Sequence, residues 1–225
     1  MSTLKFFGQS CFTLQAKEHL LIFDPYLKDN PAKVAMPEDI HPDYILVTHG
    51  HADHLGDTVL LTEQNENAAV ITTAEMGRHM LAPKGVKKLE TMHIGGKWQF
   101  PFGTVRVTQA LHGAEAPGGL ACGFVVTVEG KSVYFAGDTG IFGDMKLLGE
   151  LVRIDYALLP IGDRYTMGPE DAALATKLLN CRNVIPMHYN GNPRTMQDPK
   201  VFEKLVHEAC NARTIIMNPG DSINL

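Results

Sequence analysis

Apolar and polar positions alternate in short segments along most of the chain, and this pattern predicts strands joined by turns or helices. Three such segments open the chain at residues 4–7, 11–14 and 20–23, with turn-forming residues between them, which predicts an opening meander. Further strand-like segments lie at residues 44–47, 69–72, 89–94, 97–100, 105–110, 123–128, 132–136, 156–159, 184–187 and 214–217. The strands therefore come in runs in both halves of the chain.

Amphipathic segments between these strands predict helices. Helix-starting residues precede apolar stripes at residues 57–65, 74–81, 144–152, 169–179 and 198–205. No linker-like or low-complexity segment divides the chain, so we expect one domain over residues 1–225. The pattern predicts an α/β layered fold, with two sheets in the middle and helices outside, and it leaves the strand order open.

Composition narrows the functional classes. A net charge of −5, with no run of Lys or Arg, argues against a face that binds nucleic acid. No apolar stretch approaches the ~20 residues of a membrane span, and the first residues lead into a strand without a signal peptide. The four cysteines are scattered and form no Cys-x-x-Cys pair, which is typical of buried thiols in a reducing compartment. We therefore expect a cytoplasmic protein.

The segment Thr48–His54 carries the clearest chemical signal. His49, His51, Asp53 and His54 directly follow the apolar strand at residues 44–47. A strand followed by a tight loop can direct these side chains at a single point. Three imidazoles and a carboxylate suit zinc or a similar first-row metal, whereas calcium and magnesium prefer oxygen ligands.

Three later residues have the same character. His112, Asp138 and His188 each stand at the carboxyl end of an apolar strand, where open α/β sheets place their sites. Taken singly, each has an ordinary explanation as a turn former or a hydrogen-bonded surface residue. Together with the first motif they favour one shared site. Asp24 also ends a strand, and local sequence favours a cap for the following turn over a partner for a ligand imidazole.

The ligand series resembles the metallo-β-lactamase superfamily of dinuclear metal hydrolases, in the right order and over essentially the whole chain. More narrowly, four segments resemble the branch of small cytoplasmic metal-dependent hydrolases that includes the ascorbate-6-phosphate lactonase; they lie at residues 136–145, 159–163, 166–172 and 186–190. The resemblance implies a four-layer αββα sandwich with two central mixed sheets and helices on the outer faces.

The resemblance also implies a division of the ligands between two divalent metal ions. One ion would be held by His49, His51 and His112, and the other by Asp53, His54 and His188, with Asp138 bridging them. Zinc is the expected metal, and the Asp138 carboxylate also tolerates manganese or iron. The same resemblance makes Asp24 a support for a ligand imidazole, which reverses the preference for a cap.

By the same resemblance, the expected activity is hydrolysis of a small ester, lactone, thioester or phosphodiester by a hydroxide shared between the two metals. Asp53 and Asp138 are the expected catalytic carboxylates, and Asp53 would orient the hydroxide and accept its proton. A nuclease is the second hypothesis, because related nucleases use the same metal centre. The net charge of −5 argues against it. A non-catalytic metal-binding protein is the third hypothesis. The sequence does not decide whether the chain forms a homo-oligomer.

Substrate contacts are expected from the loops beside the ligands, at residues Asp163, Arg164, Tyr189 and Asn190. Arg164 is equally well explained as a solvated side chain, and Tyr189 as a packing residue. Two positions depart from the related branch. Gln9 stands where that branch often has His in Gly-His-Ser, and Asn192 precedes Pro193 where relatives often have an aromatic residue. The roles of Gln9 and of the loop at residues 190–193 therefore do not transfer.

Overall fold

The computed structural model describes residues 2–225, and their strands form two mixed sheets of seven strands each. The first sheet has the order β14-β1-β2-β3-β4-β5-β6. Its strands are β1 (Thr3–Gly8), β2 (Cys11–Ala16), β3 (His19–Phe23), β4 (Tyr44–Leu46), β5 (Ala69–Thr73), β6 (Leu89–Met92) and β14 (Ser222–Asn224). The second sheet has the order β13-β12-β11-β10-β9-β8-β7. Its strands are β7 (Lys97–Phe100), β8 (Gly103–Gln109), β9 (Cys122–Val128), β10 (Lys131–Phe135), β11 (Tyr156–Pro160), β12 (Asn183–Met187) and β13 (Arg213–Thr214).

Each sheet is antiparallel in one half and parallel in the other. Strands β14 to β3 pair antiparallel, and β3 to β6 pair parallel. The second sheet has the same division, antiparallel from β7 to β10 and parallel from β10 to β13. The parallel halves matter for function, because the carboxyl ends of their strands meet at one edge of the sandwich.

Helices cover the outer faces of both sheets, which confirms the expected α/β sandwich. They are α1 (Ala52–Leu55), α2 (Thr58–Gln64), α3 (Ala74–Met76, continued by a π turn over Gly77–Leu81), α4 (Met145–Leu151), α5 (Pro169–Leu179) and α6 (Pro199–Ala209). No helix of residues 2–225 has the length and apolar composition that a membrane span requires.

The alternation of side chains along the strands explains the layers. Phe23 and Phe135 face each other between the sheets, with ring centroids 4.9 Å apart. Their neighbours Ile22 and Tyr134 point outward, into the separate cores beneath the helices of each sheet. Successive residues of a strand point to opposite faces, so a strand with two apolar faces belongs in the middle of such a sandwich.

Two local predictions were wrong. The strand predicted at residues 214–217 ends at Thr214, and the chain instead returns through β14 to pair antiparallel with β1. Ser222, Ile223 and Asn224 carry no strong strand pattern, because this pairing is decided by the distant partner rather than by local sequence. The ligand segment was expected to be a loop, but Asp53 and His54 lie on the one-turn helix α1.

Gly137 brings the β10 loop close to the ligand segment, and its backbone has φ +62°. A Cβ at this position would lie 2.8 Å from Thr48 Cγ2 and 3.0 Å from the carbonyl oxygen of Cys122. We expect Gly137→Ala to lower the free energy of unfolding by roughly 1–3 kcal/mol, because strain and overlap add. Gly118→Ala is the control in chemical denaturation, since Gly118 has φ +69° with no atom within 4 Å of its Cβ position. Equal losses in the two variants would contradict the role of the Thr48 contact.

Candidate metal centre

The first three imidazoles meet at the end of β4. His49 Nε2 lies 2.8 Å from His51 Nδ1, and His112 Nε2 lies 3.2 Å from the same atom. His49 is buried, whereas His51 and His112 are half-buried. The Leu111 N–H donates to Thr139 Oγ1 at 2.9 Å, which ties the loop of His112 to the loop of Asp138. Three nitrogens from two loops therefore face one point.

A second group of three ligand atoms lies beside the first. Asp53 Oδ2 is 3.4 Å from His188 Nε2 and 3.8 Å from His54 Nε2. His54 and His188 are buried, whereas the Asp53 side chain is 36% exposed. This carboxylate is therefore the member of the group that solvent can reach.

Asp138 lies between the two groups and contacts both. Its Oδ1 is 3.3 Å from His54 Nε2, and its Oδ2 is 3.1 Å from His188 Nε2 and 3.6 Å from His112 Nε2. Its side chain is only 4% exposed. The seven residues predicted from the sequence are thus brought together into two triplets joined by one buried carboxylate.

Hydrogen bonds from outside the triplets determine which ring nitrogen carries the proton. Thr48 Oγ1 donates its single hydrogen to Asp24 Oδ2 at 2.7 Å, so it must accept from His49 Nδ1, 2.9 Å away. Asp24 Oδ2 also accepts from His54 Nδ1 at 2.7 Å. His49 consequently presents an unprotonated Nε2 to the centre, which is the form that binds a metal, and Asp24 holds the His54 ring with its Nε2 toward the centre.

Glu115 makes an ionic contact with His51. Its Oε1 lies 3.3 Å from His51 Nε2, on the side of the ring that faces away from the other imidazoles. The other ring nitrogen, Nδ1, is directed at His49 Nε2. The Gly50 N–H donates to the Ala114 carbonyl oxygen at 2.9 Å and holds this loop against the motif. Sequence reasoning did not find Glu115, because its contact with His51 spans distant parts of the chain.

The donor atoms fit a bound cation. The unprotonated His49 Nε2 lies 2.8 Å from His51 Nδ1, close enough for both nitrogens to bind one cation. Four further buried atoms around the centre have no hydrogen-bond partner among residues 2–225, namely His54 Nε2, Asp138 Oδ1, His188 Nδ1 and His188 Nε2. Orphaned polar atoms are costly inside a protein, and three of these four face the space between the triplets.

Burial and neighbouring charges perturb the ionisation of the centre. Burial, together with the neighbouring His54, lowers the pKa of His49 to about 2 and so keeps this imidazole neutral. Burial by itself raises the pKa of Asp138, but the neighbouring His54 and His188 outweigh it and hold the pKa well below its usual range. Burial raises the pKa of Asp24, and His54 and Thr48 oppose this rise. Burial by itself lowers the pKa of His54, but Asp138 and Asp24 outweigh it and raise that pKa well above its usual value, so a metal ion at His54 Nε2 would displace a proton.

The predicted substrate residues lie on two loops next to the centre, and their side chains are occupied in different ways. Asp163 and Arg164 are exposed, and the Arg164 guanidinium lies 5.8 Å from the centroid of the Tyr165 ring. Tyr189 is half-buried and packs on the outer core of the second sheet, as its alternative reading expected. Asn190 Oδ1 accepts from the Gln197 N–H at 2.8 Å and shapes its own loop.

Comparison with known proteins agrees with this geometry. The sequence profile of the family described as "Beta-lactamase superfamily domain" matches residues 19–189. A "UPF0173 metal-dependent hydrolase" of Natranaerobius thermophilus is 47% identical over 99% of each chain. A Listeria innocua protein of the same description is 43% identical, over 98% of this chain and 99% of its own.

A solved structure extends the match to three dimensions. The structure of Igni18, described as a novel metallo hydrolase from Ignicoccus hospitalis, is 34% identical with a TM-score of 0.91. The match covers 99% of this chain and 97% of that one. The two seven-stranded sheets, the convergent histidines and these similarities agree, and the chain belongs to the metal-dependent hydrolases of the β-lactamase superfamily.

Proposed function

We propose that this hydrolase uses two divalent metal ions, zinc in the first instance, to cleave a small ester, lactone, thioester or phosphodiester. The observation that carries the proposal is the pair of ligand triplets joined by Asp138. The first ion would be held by His49, His51 and His112 and the second by Asp53, His54 and His188. Paired divalent ions supply a Lewis acid for the substrate oxygen and an acidified water as the nucleophile.

The two carboxylates would have different roles because their exposure differs. Asp138 is buried and contacts both triplets, so it holds them at a constant separation. Asp53 is more open to solvent, and its Oδ1 has no partner among residues 2–225. This oxygen is therefore the group that orients the attacking water and accepts its proton. The ligand side chains come from rigid strand ends and a short helix, which preserves this geometry.

We further propose a small-molecule substrate and a cytoplasmic reaction. The net charge of −5 does not favour a nucleic acid. Cys11, Cys122 and Cys181 are buried free thiols, and the half-buried Cys210 is also unpaired. Free thiols are typical of a reducing compartment.

The test begins with metal analysis of protein purified without added metal, followed by a turnover screen on lactones, thioesters, esters and phosphodiesters. Chelation is expected to reduce turnover to background, and zinc or manganese is expected to restore it. Bound metal at about 100 times its dissociation constant adds roughly 2.7 kcal/mol of stability, so chelation should also lower Tm by about 5–11 °C.

The matched pair for this experiment is His112→Ala and His79→Ala, because His79 is exposed on the π turn, outside both triplets. The first variant should lose bound metal and turnover, and the second should keep both. Metal binding without any turnover across the screen would favour a non-catalytic binding protein. Absence of bound metal, with no turnover after zinc or manganese is added, would refute the proposal.

A further inference from the structure

Gln9 lies in the turn after β1 and contacts two predicted ligands of the second metal. Its backbone carbonyl oxygen accepts from the His188 N–H at 2.8 Å. Its side-chain Nε2 donates to Asp53 Oδ2 at 3.0 Å. Gln9 and His188 both have left-handed backbones, with φ of +55° and +54°. A non-glycine residue pays for this conformation, so the surrounding contacts must hold it there.

The Gln9 amide is confined from the other side by Gly191. The residue is 8% exposed, and its Oε1 is buried with no hydrogen-bond partner. A Cβ at Gly191 would overlap with this Oε1 atom. The amide therefore has its oxygen packed against Gly191 and its NH₂ group directed at Asp53, and an ionised carboxylate accepts only from the NH₂ side.

Asp53 needs such a constraint more than the other ligands do. It lies on the one-turn helix α1, and its side chain is the most exposed of the second triplet. The histidines of that triplet are buried, and His54 is further held by Asp24. The Gln9 side chain supplies the corresponding restraint for Asp53. Partners of metal ligands typically contribute 10–100-fold to metal affinity.

We propose that Gln9 is the positioning residue of the second metal, held in place by Gly191, and that it sets the affinity of the Asp53, His54 and His188 group. This inference rests on the proposed two-metal function and goes beyond it. In this arrangement the Gln9 amide connects Gly191 to Asp53. The local sequence around Gln9 or Gly191 does not indicate this connection.

The test measures metal stoichiometry and affinity by competition with a chelator, without reference to turnover. Gln9→Ala and the volume-retaining Gln9→Leu should each lower the affinity for one of the two bound ions by about 10–100-fold. The affinity for the other ion should stay unchanged. Gly191→Ala should weaken the same ion, because the new methyl group displaces the Gln9 amide. The Gln9→Ala/Gly191→Ala double variant should be no weaker than Gln9→Ala alone, since both changes break the same hydrogen bond.

Gly143→Ala is the control for Gly191→Ala, because no atom lies within 4 Å of its Cβ position and its φ is not positive. It should leave both ions unchanged. The Tm of the chelated proteins separates positioning from folding, and a variant that loses one ion while keeping its chelated Tm supports the proposal. Unchanged affinity in both Gln9 variants, or additive losses in the double variant, would overturn it. Wild-type protein that binds no metal would instead refute the proposed function.

Discussion

Asp138→Asn is expected to abolish measurable hydrolysis and to leave at most one metal ion bound per chain. The asparagine retains the shape of the side chain but replaces one carboxylate oxygen by an NH₂ group. Asp138 uses both oxygens, one toward His54 and the other toward His112 and His188. Since loss of a mere partner of a ligand costs 10–100-fold in affinity, loss of the bridge should cost more than about 100-fold.

The control for this variant is Asp155→Asn. Asp155 is also buried, and its Oδ2 accepts from the Ser132 N–H at 3.1 Å at the opposite end of β10. Its replacement should lower stability and leave both metal content and turnover per folded molecule unchanged. Metal content and turnover, measured on both variants under the same conditions, check the prediction. Two ions bound to the Asp138→Asn protein with wild-type affinity would contradict the bridging role.

Asp24→Asn is expected to lower the free energy of unfolding of the metal-free protein by about 3–5 kcal/mol. Asp24 is fully buried and accepts three hydrogen bonds, from Thr48 N–H, Thr48 Oγ1 and His54 Nδ1. An asparagine places an NH₂ group against at least one of these donors and leaves it without an acceptor. The left-handed backbone at this position, with φ +41°, is tolerated by Asn, so strain does not confound the result.

Thermal unfolding in excess chelator measures this effect, and a drop of roughly 6–20 °C is expected for a chain of this size. Asp43→Asn is the matched control, because Asp43 Oδ2 accepts from the Leu20 N–H at 2.8 Å and is partly exposed. It should cost far less. The Asp24→Asn protein should also bind metal more weakly, since the His54 ring loses the partner that fixes its tautomer. A chelated Tm equal to that of the wild type would show that Asp24 is not a structural acceptor.

Asp24 also illustrates how local reading falls short. From its neighbours alone it looks like a cap for the turn after β3. In the structure its carboxylate lies against Thr48 and His54, residues 24 and 30 positions further on. Only the parallel pairing of β3 with β4 brings these residues together. The resemblance to a known family replaced the cap prediction by a contact with a ligand imidazole. The hydrogen bonds of Asp24 to Thr48 and His54 give the physical reason.

Gln9 and Glu115 were harder to foresee. Each contacts a predicted ligand that is distant in sequence. Gln9 contacts Asp53, 44 positions away, and Glu115 contacts His51, 64 positions away. Gln and Glu are common on protein surfaces, so neither residue type is a signal in itself. Gln9 was noticed only as a departure from a familiar motif. The Gln9 side chain donates an N–H group to Asp53, and a histidine at this position also carries an N–H group.

The sequence by itself determined most strands, most helices and the identity of the seven candidate ligands. The helix at Pro169–Leu179 has the predicted bounds, because its proline start and apolar stripe are local features. The candidate ligands were recognisable because they follow apolar strands, and strands of parallel sheets end at a shared edge. These inferences need only neighbouring residues.

The tertiary structure decided which groups the candidate ligands contact and how their rings are oriented. The strand order, the return of β14 to β1 and the contact of Asp138 with both triplets depend on pairings between distant segments. The tautomer of His49 depends on the hydrogen bond from its neighbour Thr48 to the distant Asp24. Asp24 also holds the ring of His54, and Glu115 contacts His51 from another loop. Hydrogen bonds and ionic contacts act over a few ångströms in space, so residues far apart in sequence complete the centre only when the two sheets pack together.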